Sequence, residues 1–208
     1  MTKVLFRDRV LQAREGAILA SVNRLLADKG YDAMTVDEVA TDVGIGKASL
    51  YRHFRSKEAL AAAAMVGVLD RALAFVSSID APAKTAAIDK LRAIARWAML
   101  SQLAGEMPML PVQNSGLRAA LGANQAYLER LNELSEKLGR WIAAAQKAGT
   151  INRSLPPELV LYTLFARACD PVLSLLKAGG NHSDDKIVTT LLAACFDGLS
   201  GGRRAPPA

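Results

Sequence analysis

The sequence has few of the residue types on which enzymes and secreted proteins commonly depend. Its 208 residues include two cysteines, Cys169 and Cys195, two histidines, His53 and His182, and only 5% aromatic residues. The cysteines lie far apart without CxxC spacing, which argues against a disulfide scaffold or zinc site and favours a reducing compartment. Gly-x-Ser-x-Gly, phosphate-loop and HExxH motifs are absent. We therefore predict that the protein is not an enzyme and uses no metal or cofactor.

The chain also lacks a long uninterrupted apolar run. Its first ten residues, MTKVLFRDRV, contain no continuous apolar stretch, so a signal peptide is not predicted. The longest apolar run, residues 59–69, falls short of the ~20 residues that span a bilayer. We expect a soluble cytoplasmic protein without a membrane partner.

The composition that remains favours helices. Apolar residues make up 51% of the chain, with alanine and leucine prominent, and no segment shows the alternation typical of strands. Apolar spacing, capping residues and glycine or proline breaks predict an all-α fold. The expected helices cover residues 10–29, 36–43, about 47–54, 57–77, 84–105, 117–147 (with a kink near Gly122), 156–177 and 184–199.

Positive charge is concentrated in one short window. The formal net charge is +6, which is compatible with a polyanionic partner but does not establish one. Residues 43–57 contain no acidic residue and four basic ones, Lys47, Arg52, Arg55 and Lys57. A second basic segment lies within residues 1–14.

Helical geometry gives this window two different faces. Leu50 and Phe54 face a small core formed with the two preceding helices. The opposite face is small or basic, with Ala48, Ser49 and Arg52, flanked by Lys47 and Tyr51. Such a face can enter a DNA major groove, and His53 and Lys57, near the helix end, suit phosphate contacts. The spacing alone fits a solvated amphipathic helix equally well.

The residues themselves favour DNA binding. The segment ILASVNRLLADKGYDAMTVDEVATDVGIGKASLYRHFRSKEAL, residues 18–60, resembles the DNA-binding domain of the TetR (tetracycline-repressor) family. It carries the Gly30-Tyr31 link, Thr35 at the start of the second helix, the turn at residues 43–45 and the recognition helix at residues 47–54. The resemblance implies a homodimer that binds a near-palindromic operator of double-stranded DNA, with repression as the default and activation as the alternative.

The resemblance also implies roles for individual residues. Thr35 corresponds to a phosphate contact, and the other matching positions contact bases or the DNA backbone: Lys47, Ala48, Ser49, Tyr51, His53 and Lys57. Arg52 occupies a position that varies, so a base contact, a phosphate contact or neither remains open. The basic residues Lys3, Arg7 and Arg9 either add DNA contacts or belong to a frayed terminus.

Beyond about residue 69 the resemblance fades and implies only a general plan. We expect a DNA-binding domain at residues 1–60, a helical ligand-binding and dimerisation domain at residues 61–202 and a loose tail at residues 203–208. The last two helices are expected to pair with their copies in the partner through Leu164, Val172, Leu176, Ile187, Leu191 and Ala194. Alternatively, these residues cover only the core of their own subunit.

A pocket for a small effector is expected among the middle helices. Methionine and aromatic side chains suit an adaptable apolar cavity, and the candidates are Trp97, Met107, Met109, Tyr127, Tyr162 and Phe165. Each of them is equally compatible with an ordinary core position. No charged cluster marks the region, so we expect a mostly apolar or amphipathic effector of unknown identity.

Two other classes of regulator remain as alternatives. A redox-responsive regulator would use Cys169 or Cys195, although packed thiols are the simpler interpretation. A sequence-independent DNA-coating protein is expected to carry a much larger positive charge.

Overall fold

The computed structural model describes residues 6–80, 85–107 and 115–198, and these residues contain no strand. The all-α prediction is confirmed. One 3-10 turn, Arg167–Cys169, accompanies the α-helices. The α-helices are α1 (Phe6–Ala33), α2 (Val36–Val43), α3 (Lys47–His53), α4 (Lys57–Asp80), α5 (Ala87–Leu103), α6 (Ser115–Ala123), α7 (Gln125–Lys147), α8 (Pro157–Ala166), α9 (Pro171–Ala178) and α10 (Asp184–Asp197).

Turn chemistry sets the arrangement of the first three helices. Gly30, with φ of 78°, interrupts the helical conformation of α1 as predicted, because glycine adopts positive φ without a steric penalty. The predicted capping box at Thr35 and Glu38 begins α2, and Gly44, with φ of 71°, ends it. After Gly46, α3 begins within two residues of that turn. The result is a helix-turn-helix.

Helix α4 belongs to two hydrophobic cores. Its first turns pack with α1, α2 and α3 through Leu60, Ala61 and Ala64, and its later turns join the C-terminal core through Leu69 and Ala72. The predicted domain boundary after residue 60 therefore falls inside a continuous helix. Helix α4 thus connects the C-terminal core directly to the DNA-binding core.

Two of the long predicted helices are divided. The stretch predicted at residues 117–147 breaks at Asn124 rather than Gly122, because the Asn124 side-chain oxygen accepts a hydrogen bond from the Tyr127 amide at 3.0 Å and caps α7. The helix predicted at residues 156–177 is interrupted by the 3-10 turn and Asp170. Pro171 explains this break, since proline lacks the amide donor and disfavours helical geometry at the preceding residue.

Two described segments are long and apolar enough to cross a membrane by length and composition, in contrast to the expectation from uninterrupted runs. Lys57–Asp80 is α4, which contributes to both cores, so a structural role explains its composition. In Pro157–Ala178, only 17% of the most apolar window is buried. This second segment leaves an apolar surface that one copy of the chain does not cover.

Several predictions lie outside the described residues. They concern Met109 as a cavity residue, Lys3 as a DNA contact, the proline-containing connection around Pro108 and Pro111, and the tail at residues 203–208. The side chain of Arg7 also lies outside the described part of the chain.

Candidate DNA-binding surface and effector cavity

The recognition helix α3 has one face in the core and one in solvent. Leu50 is fully buried among side chains of α1, α2 and α4, and Phe54 packs beside it. The predicted DNA-facing residues Lys47, Ala48, Tyr51 and Arg52 are exposed, while Ser49 is half-buried. The structure thus brings the predicted small and basic residues together on the outer surface of one helix.

Thr35 is held firmly at the start of α2. Its amide and its hydroxyl both donate to Glu38 Oε2 at 2.9 Å, and its Oγ1 accepts from the Glu38 amide at 3.2 Å. The residue is exposed. This capping box fixes the orientation of the N-terminus of α2, and the predicted phosphate contact of Thr35 stays a prediction.

Lowering the pH is expected to weaken this part of the fold through Glu38. A hydrogen bond from Lys29, followed by those from Thr35, lowers the pKa of Glu38 from its ordinary 4.5 to about 2. Its stabilisation is therefore present above about pH 4.5 and is lost as the pH falls towards about 2. Urea unfolding across this range should show a smaller loss of stability in Glu38→Gln than in the unmodified protein.

The control for this prediction is Glu136→Gln, which alters an exposed glutamate of α7. Its pH dependence should match that of the unmodified protein. An unchanged acid dependence in Glu38→Gln would contradict the assignment.

Lys47 is paired within the protein before any DNA is bound. Its Nζ lies 2.8 Å from Asp37 Oδ2, and both side chains are exposed. The hydrogen bond to Asp37 raises the pKa of Lys47, so the amine stays charged. A phosphate that binds Lys47 competes with this carboxylate.

Lys57 joins the beginning of α4 to the end of α1. Its Nζ donates to the Asp32 carbonyl oxygen at 3.1 Å and lies 4.5 Å from the centre of the Tyr31 ring. The Tyr31 hydroxyl donates to Glu58 Oε1 at 2.9 Å, and burial raises the pKa of Tyr31, so this donor stays protonated. The ammonium group therefore occupies a defined position at the N-terminus of α4.

His53 is largely covered by its own chain. Its Nδ1 lies 3.3 Å from Glu15 Oε1, and its side chain is only 9% exposed. This contact connects the end of α3 to α1. The structure thus places His53 where it positions the recognition helix, and direct phosphate contact stays a prediction.

A cavity of about 550 Å³ lies between α4, α5, α7 and α8. The predicted residues Trp97, Met107, Tyr127, Tyr162 and Phe165 all line it. None of the described lining residues is charged. The cavity therefore suits the apolar part of a ligand, since burial of an unpaired charge is costly.

Much of the cavity wall was not predicted. Helix α4 contributes Met65, Val68, Leu69 and Ala72, which resemble ordinary core residues in sequence. Polar neutral groups also line the cavity: Asn132, Ser135 and the thiol of Cys169. The apolar spacing of α4 could have indicated that one face is buried. It could not show whether that face lines a cavity or packs directly against other side chains.

The two thiols show no sign of activation. Desolvation raises the pKa of both Cys169 and Cys195. Reactive cysteines have the opposite shift, because the thiolate is the nucleophile. Among the described residues, no group of histidine, cysteine, aspartate or glutamate side chains is arranged to hold a metal ion.

The predicted dimer residues have unequal exposure. Val172 is exposed, and Leu176, Leu191 and Ala194 are half-buried. Leu164 and Ile187, in contrast, pack into the core of their own chain. Further exposed apolar residues on α8 and α9 are Leu159, Tyr162, which was predicted as a cavity residue, and Leu175.

Comparison with known sequences identifies the N-terminal region. The sequence model of the bacterial regulatory proteins of the tetR family matches residues 18–64. Over 49 residues the chain is 47% identical to the uncharacterized HTH-type transcriptional regulator YerO of Bacillus subtilis (strain 168), a match that covers 24% of this chain and 17% of YerO. Over 43 residues it is 46% identical to the biofilm operon icaADBC HTH-type negative transcriptional regulator IcaR of Staphylococcus aureus (strain Newman), covering 21% of this chain and 23% of IcaR.

The fold agrees with solved structures over most of the chain. The transcriptional regulator FadR from Bacillus subtilis, in complex with stearoyl-CoA, aligns with a TM-score of 0.67 and 17% identity over 89% of this chain and 99% of FadR. AibR, in complex with isovaleryl coenzyme A and operator DNA, aligns with a TM-score of 0.56 and 20% identity over 88% of this chain and 98% of AibR. These identities establish a common fold only. The match to the sequence model of tetR-family bacterial regulatory proteins covers the helix-turn-helix region, residues 18–64, and the solved structures extend the agreement in fold over most of the chain.

Proposed function

We propose that the protein is a homodimeric transcriptional repressor that binds a near-palindromic DNA operator and is released by a small apolar or amphipathic effector. The observation that carries the proposal is the outer face of α3, where small residues lie between the basic and aromatic side chains of Lys47, Tyr51 and Arg52 on a helix anchored by Leu50. A helix with a slim face of this kind enters the major groove.

The two ends of this surface would hold the DNA backbone. Lys47 and Lys57 lie at the N-termini of α3 and α4, where both their charges and the helix dipoles favour phosphate. Thr35 lies at the N-terminus of α2. Contacts of this kind fix the register of α3, while residues on its outer face distinguish bases.

The dimer is supported by the uncovered apolar surface of α8 and α9. Leu159, Tyr162 and Leu175 are exposed there, and large apolar patches commonly mark protein interfaces. A two-fold dimer would place two copies of α3 at a fixed separation, as recognition of two half-sites on one face of the DNA requires. IcaR, which is similar to this chain over the helix-turn-helix, is a negative regulator, and repression is proposed here by analogy.

The effector would act through α4. The cavity lining includes Met65, Val68 and Leu69, which begin at the residue directly after Ala64 of the DNA-binding core. A ligand that binds best when α4 is displaced lowers the population of the DNA-binding arrangement. Because the described cavity walls are uncharged, an ionised group would stay outside, and an acyl chain of the kind carried by the FadR and AibR ligands fits this requirement.

Specific binding should appear with the DNA upstream of the protein's own gene. We expect a footprint over an inverted repeat, with affinity at least ~10³-fold higher than for a scrambled fragment. Both fragments should be titrated over a range of salt concentrations, since nonspecific binding depends strongly on salt. Equal, weak binding to both fragments and to a genomic fragment library would contradict the proposal.

Transcription assays would then separate the two directions of control. Repression predicts lower output from the footprinted promoter when the protein is added, and activation predicts higher output. Redox control has less support because neither thiol is activated.

A further inference from the structure

An apolar stripe runs along α8, the 3-10 turn and α9. Its six members follow one another at intervals of three or four residues, the spacing of neighbours on one face within each of α8 and α9. All of them are exposed in the single chain: Leu159, Tyr162, Ala166, Cys169, Val172 and Leu175. The stripe carries no charged side chain and is largely uncovered, with Leu175 71% exposed.

Two members of the stripe also line the effector cavity. Tyr162 is 65% exposed and Cys169 is exposed, yet both contribute to the cavity wall. Asn132 of α7 is a further exposed lining residue. An exposed lining residue marks a place where a cavity reaches the surface. The cavity therefore opens, at least in part, through the apolar stripe.

A second copy of the chain is the occupant that best suits this stripe. A membrane is a poor alternative because the segment is broken at Asp170, whose carboxylate is buried and lies 2.6 Å from Arg167 Nη1. An ion pair in the middle of a spanning segment is costly in lipid. An uncharged stripe can instead pack against its own copy across a two-fold axis without like-charge repulsion, as an isologous interface requires.

From this geometry we propose that the partner subunit closes the cavity, so that the effector site is complete only in the dimer. The proposal rests on the dimer of the proposed function and adds that the stripe which forms the interface is also the rim of the site. Effector binding and dimerisation are then linked, because a ligand that binds only the closed cavity stabilises the dimer by mass action. Tyr162 and Cys169 belong both to the cavity wall and to the stripe, so they connect effector binding to dimerisation.

The reactivity of Cys169 tests this proposal without knowledge of the effector. In a Cys195→Ser background, Cys169 is the remaining cysteine. Its thiolate attacks the disulfide of 5,5′-dithiobis(2-nitrobenzoate), forms a mixed disulfide and releases thionitrobenzoate, which is measured by absorbance. We expect the rate constant to fall about tenfold or more as the protein concentration rises through the dimer dissociation constant, because access controls the reaction.

Leu175→Glu supplies the monomeric comparison. Leu175 belongs to the stripe but does not line the cavity, so the substitution should break the dimer, with the fold checked by circular dichroism. Cys169 should then react at the fast rate at every protein concentration. Leu159→Glu serves as a second variant with the same expected result. The matched control is Leu11→Glu, which alters an exposed leucine of α1 and should leave both dimer and protection unchanged.

Sedimentation velocity separates the ways in which the proposal can fail. A monomeric Leu175→Glu protein whose Cys169 reacts as slowly as in the unmodified dimer would show that one chain closes its own cavity. Fast reaction in a dimer that still binds operator would likewise overturn this inference alone. A Leu175→Glu protein that remains a dimer, or an unmodified protein that is always monomeric, would overturn both this inference and the interface on which it rests.

Discussion

Replacing Tyr51 with alanine should weaken operator binding by about tenfold or more, while the dimer and the fold remain intact. Tyr51 is 42% exposed on the outer face of α3 and makes little contribution to the core. Its removal would therefore affect the proposed DNA contacts rather than the packing of the core. Tyr51→Phe separates the hydroxyl from the ring: a full loss of affinity in this variant would assign the contact to the oxygen.

Lys57→Ala should reduce affinity for all DNA sequences rather than for the operator alone. A lysine that contacts a phosphate contributes through counterion release, so the slope of log affinity against log salt should decrease by about 1. Fluorescence anisotropy with operator and scrambled fragments measures both effects. Lys147→Ala, at the far end of α7, is the matched control and should bind as the unmodified protein does. Unchanged affinity in both Tyr51→Ala and Lys57→Ala would refute the assignment of this surface.

The second large effect is expected from Leu50→Ala, which should destabilise the DNA-binding domain by about 2–5 kcal/mol. Leu50 is fully buried where α3 packs against α1, α2 and α4, so truncation leaves a cavity under the recognition helix. The substitution leaves the surface residues of α3 unchanged, but the helix that carries them is no longer held in a fixed orientation. Operator affinity should therefore fall although no DNA contact has been removed.

Chemical unfolding monitored together with operator binding checks this result. Leu11→Ala is the matched control, since Leu11 is 47% exposed and surface substitutions usually change stability by less than about 0.5 kcal/mol. A stable Leu50→Ala protein with normal operator affinity would show that α3 is not held by this core.

Features that depend on interactions between neighbouring residues were predicted more accurately than features that depend on contacts between distant helices. Gly30, Thr35 and Gly44 act through neighbouring backbone groups, so the turns around α2 were predictable. The break at Asp170 was also local, but the apolar pattern on either side concealed the signal of Pro171. Turns and helix ends set by neighbouring residues were therefore predictable from the sequence, except where an apolar pattern continued across the break.

Cavity and interface residues were harder to assign because both depend on packing between distant helices. Aromatic candidates such as Trp97 and Phe165 did meet at one cavity, whereas Val68 and Ala72 carried no feature that separated a wall from a core. Ile187 and Val172 are both apolar, yet one is buried and the other exposed. Apolar residues occur on several sides of this segment, so its sequence pattern does not indicate which of them are exposed.

The Lys47–Asp37 ion pair has a consequence for how the protein finds its target on a chromosome. A phosphate that binds Lys47, as proposed, would have to displace the Asp37 carboxylate, both at the operator and on unrelated DNA. This competition would shorten the residence time on every sequence and would leave base discrimination by the proposed contacts of α3 unchanged. The protein would then leave incorrect sites sooner and spend less of its search in unproductive contact with the genome.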